Sequence, residues 1–258
     1  MTSERKPCHF CGSTDRKMTK EHVFGEWIGG VIETRRSQRL RVDTYDVASQ
    51  DITSTAYRET PEALHEIEVR AMCDPCNTVW GSQLEARAGQ VLPRMIAGES
   101  FVATATEARD LAVWATKVAV MRDLLNPREA RQIPDHVARR LRATNEPPRD
   151  GVSIVAFPTD ADRWWVRTRL QHGAPDPRPH GGALPDRPDS FVSILTLHRV
   201  GIAVGYSRTR KEPRLLASEI PMSFVRLWPS PTGFAWPRPI SLSDRELDIL
   251  AANPRGWF

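Results

Sequence analysis

The chain predicts an α+β protein built as a zinc-bearing head, a helical connector and an antiparallel α+β tail, over residues 1–100, 101–145 and 146–258. Three observations predict it. The four cysteines stand in two Cys-x-x-Cys pairs, Cys8/Cys11 and Cys73/Cys76, a spacing that lets distant segments converge on one tetrahedral zinc. Between the second pair and residue 143, apolar residues recur at helical spacing. After Gly151 the apolar period shortens from about 3.6 to about 2, the mark of strands.

Each element follows from local chemistry. Phe10-Cys11-Gly12-Ser13 reads as a tight turn, with glycine taking the positive φ that a metal knuckle imposes. Residues 31–58 read as strands, with Arg35, Arg36, Arg39 and Arg41 clustered first and β-branched Val42, Thr44, Ile52, Thr53 and Thr55 after them. Val69–Met72 is an extended lead into the second knuckle. A helix is predicted from Asn77 to about Ala88, with Gly89 as its stop. A second runs from Glu107 to Leu125 on a stripe of Leu111, Trp114/Ala115, Val118 and Met121/Leu125. A third opens at Pro134, a favoured first position, and carries Arg139, Arg140 and Arg142. Residues 145–151 form a linker. Val152–Phe157 with Trp164–Leu170, and Phe191–Leu197 with Ile202–Tyr206, read as two strand pairs separated by a proline- and glycine-rich loop over 171–189. A strand at Met222–Trp228 and a helix near Ser243–Ala251, opened by the capping box Ser243-Asp244-Arg245-Glu246, complete the chain.

Composition narrows the classes. No stretch reaches the roughly 18 apolar residues of a membrane span, and the best candidate, Leu111–Leu125, is broken by Lys117, Arg122 and Asp123. The N-terminus leads into Pro7-Cys8 without an apolar signal core, so a cytoplasmic protein with reduced thiols is expected. Paired cysteines in that compartment read as metal ligands rather than disulfides. The net charge is +4, but residues 1–100 hold 13 Lys/Arg against 15 Asp/Glu while the remainder holds 23 against 17. Arginine outnumbers lysine by 31 to 5, which suits phosphate and equally suits a GC-rich coding sequence.

Chemistry gathers beside the knuckles, where Glu21-His22 follows the first pair and Asn77 directly follows the second. Phosphodiester cleavage needs a base for water, a cation at the scissile phosphate and a scaffold that aligns them. Histidine suits the first role at neutral pH. Carboxylate and amide oxygens suit the hard ions Mg²⁺ and Mn²⁺.

The pattern Cys8-His9-Phe10-Cys11, Glu21-His22, Gly29-Gly30 and Cys73-Asp74-Pro75-Cys76-Asn77 resembles the zinc-bearing HNH (ββα-metal) endonucleases over about residues 7–90. The resemblance implies a ββα-metal, treble-clef-like head with a structural zinc on Cys8, Cys11, Cys73 and Cys76. It implies His22 as general base, and Glu21 and Asn77 as ligands of a catalytic Mg²⁺ or Mn²⁺. It implies DNA, in double-stranded form, as substrate. The 61 residues between Cys11 and Cys73 require an inserted hairpin. Glu68 stands where the family often has an asparagine that orients the histidine, and Gly81 where some members carry a further ligand. Glu85, about 12 Å along a helix from Asn77, is not expected to share its ion.

Arg35, Arg36, Arg39 and Arg41, in the insertion, are candidate nucleic-acid contacts. The rivals to a nuclease are a non-catalytic zinc-stabilised nucleic-acid-binding module with a degenerate HNH fold, and a zinc-stabilised assembly protein. Oligomeric state is left open, a homodimer included.

Overall fold

The structure, a computed structural model, describes residues 6–32, 38–45, 52–60, 66–126, 128, 131, 133–160, 168–172, 190–207, 223–229, 231–243 and 245–246. In the head, β1 (Met18–His22) is followed by a short helix α1 (Ile28–Val31), a hairpin of β2 (Gln38–Tyr45) and β3 (Ile52–Thr60), and then β4 (Glu68–Cys73). β4 returns antiparallel to β1, pairing Met18 with Cys73 and His22 with Glu68. The β2–β3 hairpin is the insertion that the long gap between the knuckles demands. Arg39 and Arg41 fall opposite Glu59 and Tyr57 in its register, whereas Arg35 and Arg36 lie outside the described residues.

Beyond the second knuckle the chain makes a π-helical segment, Cys76–Gly81, that passes directly into α2 (Ser82–Ala97). Gly89 does not end this helix as expected. A Cβ there would sit in ordinary contact, 3.8 Å from the Trp27 ring, so the packing tolerates glycine without demanding it. Leu84, Ala88, Val91, Leu92, Met95 and Ile96 continue the buried face past it. The stop is Gly98, whose φ of 72° reverses the chain and whose N–H bonds to the Met95 carbonyl.

After β5 (Phe101–Ala103), a capping box starts α3 (Ala105–Asp123). The Glu107 N–H donates to Thr104 Oγ1, and the Thr104 N–H donates to Glu107 Oε2. Every residue of α3 from Asp110 to Met121 is buried, as befits a helix through the middle of a core, where it meets α2 and α4 (Asp135–Thr144).

The tail is an antiparallel sheet of β6 (Val152–Pro158), β7 (Thr168–His172), β8 (Ser190–Leu197), β9 (Val200–Ser207) and β10 (Val225–Trp228), in the order β10-β6-β9-β8-β7. The expected pairing of β8 with β9 is present. That of β6 with β7 is not, because β6 is buried along its whole length and takes β9 and β10 as neighbours. The β6–β9 register seats Phe157 over Gly201, where any Cβ would overlap its ring. β11 (Phe234–Trp236) leaves the sheet to pair with β5. The final capping box forms between Ser243 and Glu246, and residues 247–258, over which the expected helix would continue, lie outside the described residues.

One buried cluster runs from Cys8 and Phe10 through α2 and α3 to Trp228 and Trp236. Among the described residues no helix is long and apolar enough to cross a membrane.

Candidate functional site

The four cysteines converge. Their sulfurs all lie within 4.8 Å of one another, with Cys11 Sγ and Cys73 Sγ 3.5 Å apart. A tetrahedral ion with bonds of about 2.3 Å to sulfur needs its four ligands roughly 3.8 Å apart, so the set fits zinc. The backbone is folded for it. Gly12 takes a φ of 76°, its N–H bonds to the Cys8 carbonyl, and the Cys73 N–H donates to Cys8 Sγ. Burial raises the Cys8 thiol, but backbone N–H groups of Cys11, Cys73 and Phe10 outweigh it and hold this sulfur below the ordinary thiol range. Burial pushes the Cys76 thiol far up, with Arg142 opposing. Amide donors of this kind favour thiolates and orient them for a metal.

Beside the knot lies an open cleft of about 410 Å³ lined by Glu21, His22, Gly25, Glu26, Trp27, Asn77, Ser82 and Glu85. The second knuckle delivers Asn77 to it at the start of the π-helical segment. Asn77 Nδ2 donates to Thr19 Oγ1 (3.1 Å) and to the Lys20 carbonyl (3.3 Å), both on β1, which leaves the amide oxygen as the group it can offer. A β-bulge between Thr19 and Glu21 shifts the register just before the two residues from β1; bulges commonly re-aim side chains near sites.

His22 is flanked by carboxylates. Its Nε2 faces Glu68 Oε1 at 3.9 Å across the β1–β4 pair, and its Nδ1 faces Glu26 Oε1 at 3.7 Å. These separations exceed a hydrogen bond and act through charge. Glu68 is the fixed neighbour, since Lys20 Nζ donates to its other oxygen at 2.8 Å and holds the carboxyl below the usual range. Glu26 is 80% exposed.

Glu21 has a partner from 96 positions away. Lys117 of α3, with no exposed side-chain surface, places Nζ 2.6 Å from Glu21 Oε1 and 2.9 Å from Glu85 Oε1. Trp27 and Trp114 each donate an indole N–H to Glu85 Oε2, at 2.9 and 3.0 Å. Burial works against the Lys117 charge, but Glu85 and Glu21 overcome it and raise the ammonium above the ordinary lysine value. Gly25 permits this assembly, because a Cβ there would overlap Glu85 Oε2 and the Trp27 indole.

Comparison with known proteins adds no relative. No family model, curated protein or solved structure matches the chain.

Of the residues singled out in the sequence, Glu21, His22 and Asn77 line one cleft, and the cysteines form one knot. Among the described residues those cysteines are the one group of three or more His, Cys, Asp or Glu side chains drawn close enough for a common ion. The cleft lining carries the carboxylates of Glu21, Glu26 and Glu85 and the amide of Asn77, and carboxylate and amide oxygens are the donor types a hard divalent ion prefers. Glu85 departs from expectation: it reaches the same cleft and shares the Lys117 cation with Glu21. Lys117 and Trp114 were legible only as a lysine interrupting a buried helical stripe and an indole one turn before it. In the sequence Glu68 only stands where the resemblance expects an asparagine, which leaves the orienting partner of His22 unassigned; the structure places its carboxylate 3.9 Å from His22 Nε2.

Proposed function

We propose that the chain is a metal-dependent endonuclease of the HNH (ββα-metal) type that hydrolyses phosphodiester bonds in double-stranded DNA. One observation carries it: an imidazole, a carboxylate and an amide from two stretches more than 50 residues apart line a single cleft beside a four-thiol knot. The thiol knot would hold a structural zinc and take no part in the chemistry. Its work is to pin the strand that carries His22 against the helix that opens with Asn77.

In this proposal His22 takes the proton of the attacking water. The carboxylate of Glu68, anchored by Lys20, draws the imidazole proton to Nε2. Nδ1, flanked by the exposed Glu26, is then the nitrogen that accepts. Glu21 and Asn77 would hold Mg²⁺ or Mn²⁺ through Oε2 and Oδ1. Such an ion, when bound, supplies positive charge to the scissile phosphate and the departing 3′-oxygen. Asn77 is oriented for this by its two bonds to β1, and Glu21 by its bond to Lys117.

One observation favours a second reading, a non-catalytic nucleic-acid-binding module with a degenerate fold: Glu21 is already ion-paired inside the protein. A nicking assay on supercoiled plasmid separates the two. The nuclease reading expects cutting by the zinc-loaded chain that requires added Mg²⁺ or Mn²⁺ and is lost in His22→Ala. Equal cutting by the variant, or binding of the plasmid without any cutting, refutes it.

A further inference from the structure

We propose that Lys117 is the internal counter-ion of the cleft, a positioning residue that pins Glu21 by one oxygen and keeps the cation seat assembled without a divalent ion. Its consequence for catalysis rests on the nuclease reading above; the positioning itself does not.

Two carboxylates from different elements, Glu21 on β1 and Glu85 on α2, converge on one ammonium at 2.6 and 2.9 Å. Lys117 is fully buried and arrives from α3 behind the cleft, so it acts on a substrate only through what it holds. Glu85 has both oxygens engaged: Oε1 accepts from Lys117, and Oε2 from Trp27 and Trp114. Glu21 Oε1 is occupied in the same way. Among the described residues, Glu21 Oε2 is the carboxylate oxygen of this set that accepts no hydrogen bond. Two carboxylates against one ammonium leave one negative charge over, and of the two cleft-lining carboxylates Glu21 is the one with an oxygen, Oε2, that no described donor engages.

Gly81 fits the same arrangement. A Cβ at this position would stand 3.2 Å from the Cys76 carbonyl and 3.8 Å from Glu21 Oε1, the oxygen that Lys117 already engages. The helix offers no ligand there, and α3 supplies a cation instead. Removing that cation leaves two part-buried carboxylates facing a gap of about the size of the lost ammonium. A buried charge stripped of its partner is strongly destabilising, and a hard divalent ion is the natural replacement between two carboxylate oxygens.

The test is thermal melting of the zinc-loaded full chain at neutral pH, with and without millimolar Mn²⁺, for wild type, Lys117→Met and Lys117→Arg. Methionine keeps the unbranched stem and removes the ammonium; arginine keeps the charge. The Met variant is expected to melt lower by roughly 10 °C without Mn²⁺. Mn²⁺ should restore more than half of that loss, while moving wild type and the Arg variant far less. Equal loss with and without Mn²⁺ is what a merely structural lysine gives, and it overturns the proposal. Where the Met variant emerges unfolded, refolding from denaturant reads the same question: recovery only with Mn²⁺ supports the proposal, and recovery in neither condition overturns it. A wild type that never nicks DNA refutes the nuclease reading whatever the melts show. A nicking wild type with a Met variant deaf to Mn²⁺ refutes this inference alone.

Discussion

Replacing Cys73 by serine removes one sulfur of the knot and would break the link that a zinc would make between segments 62 positions apart at Cys11 and Cys73. A cross-link closing a loop of that length withholds chain entropy from the unfolded state, worth about 4 kcal/mol. In a chain of this size each kcal/mol moves the melting temperature by roughly 2–4 °C, so a loss of roughly 8–16 °C is expected. Cys73 is fully buried and its own N–H serves Cys8 Sγ, so few substitutions offer less room for relaxation. Elemental analysis of the purified protein should find one zinc per wild-type chain and much less in the variant. Differential scanning calorimetry should show the same loss when wild type is treated with a strong chelator. Because both perturbations remove the same bridge, the chelator should add nothing to the variant. Wild type that folds without zinc, and whose melting temperature ignores the chelator, would refute the knot as a stabilising metal centre.

Gly25→Ala should lower stability by about 1–3 kcal/mol, since the new Cβ overlaps Glu85 Oε2 and the Trp27 indole; a denaturant midpoint equal to that of wild type at unchanged zinc content would contradict the packing described. His22→Ala should slow nicking by about a hundred- to ten-thousand-fold. Because the imidazole is partly exposed and makes only long contacts, its melting temperature should stay within about 2 °C of wild type, and a larger drop would mark His22 as structural.

The parts of the fold legible in the sequence were those fixed by local chemistry. Cysteine spacing announced the knot, Pro134 announced α4, and the alternation in 191–206 announced the β8–β9 hairpin. What escaped depends on contacts between distant segments. Gly89 reads as a helix stop until the buried face of α2 is seen to run past it through Val91, Leu92, Met95 and Ile96. β6 and β7 look like neighbours in sequence, yet a strand buried on both faces takes partners on both edges, and Gly201 gives β9 the better fit to Phe157. The same division runs through the cleft. Glu21, His22 and Asn77 were legible because each stands near a knuckle. Lys117 was not, because nothing in a heptad of α3 tells where on the head its ammonium ends.

The most direct measurement is a crystal structure of the zinc-loaded protein soaked with Mn²⁺, with the two metals distinguished by anomalous scattering. The account predicts a zinc peak among Cys8, Cys11, Cys73 and Cys76, and a separate manganese peak bonded to Glu21 Oε2 and Asn77 Oδ1 with His22 facing the same space. Manganese absent from the cleft, or bound with Glu21 and Asn77 untouched, would contradict it.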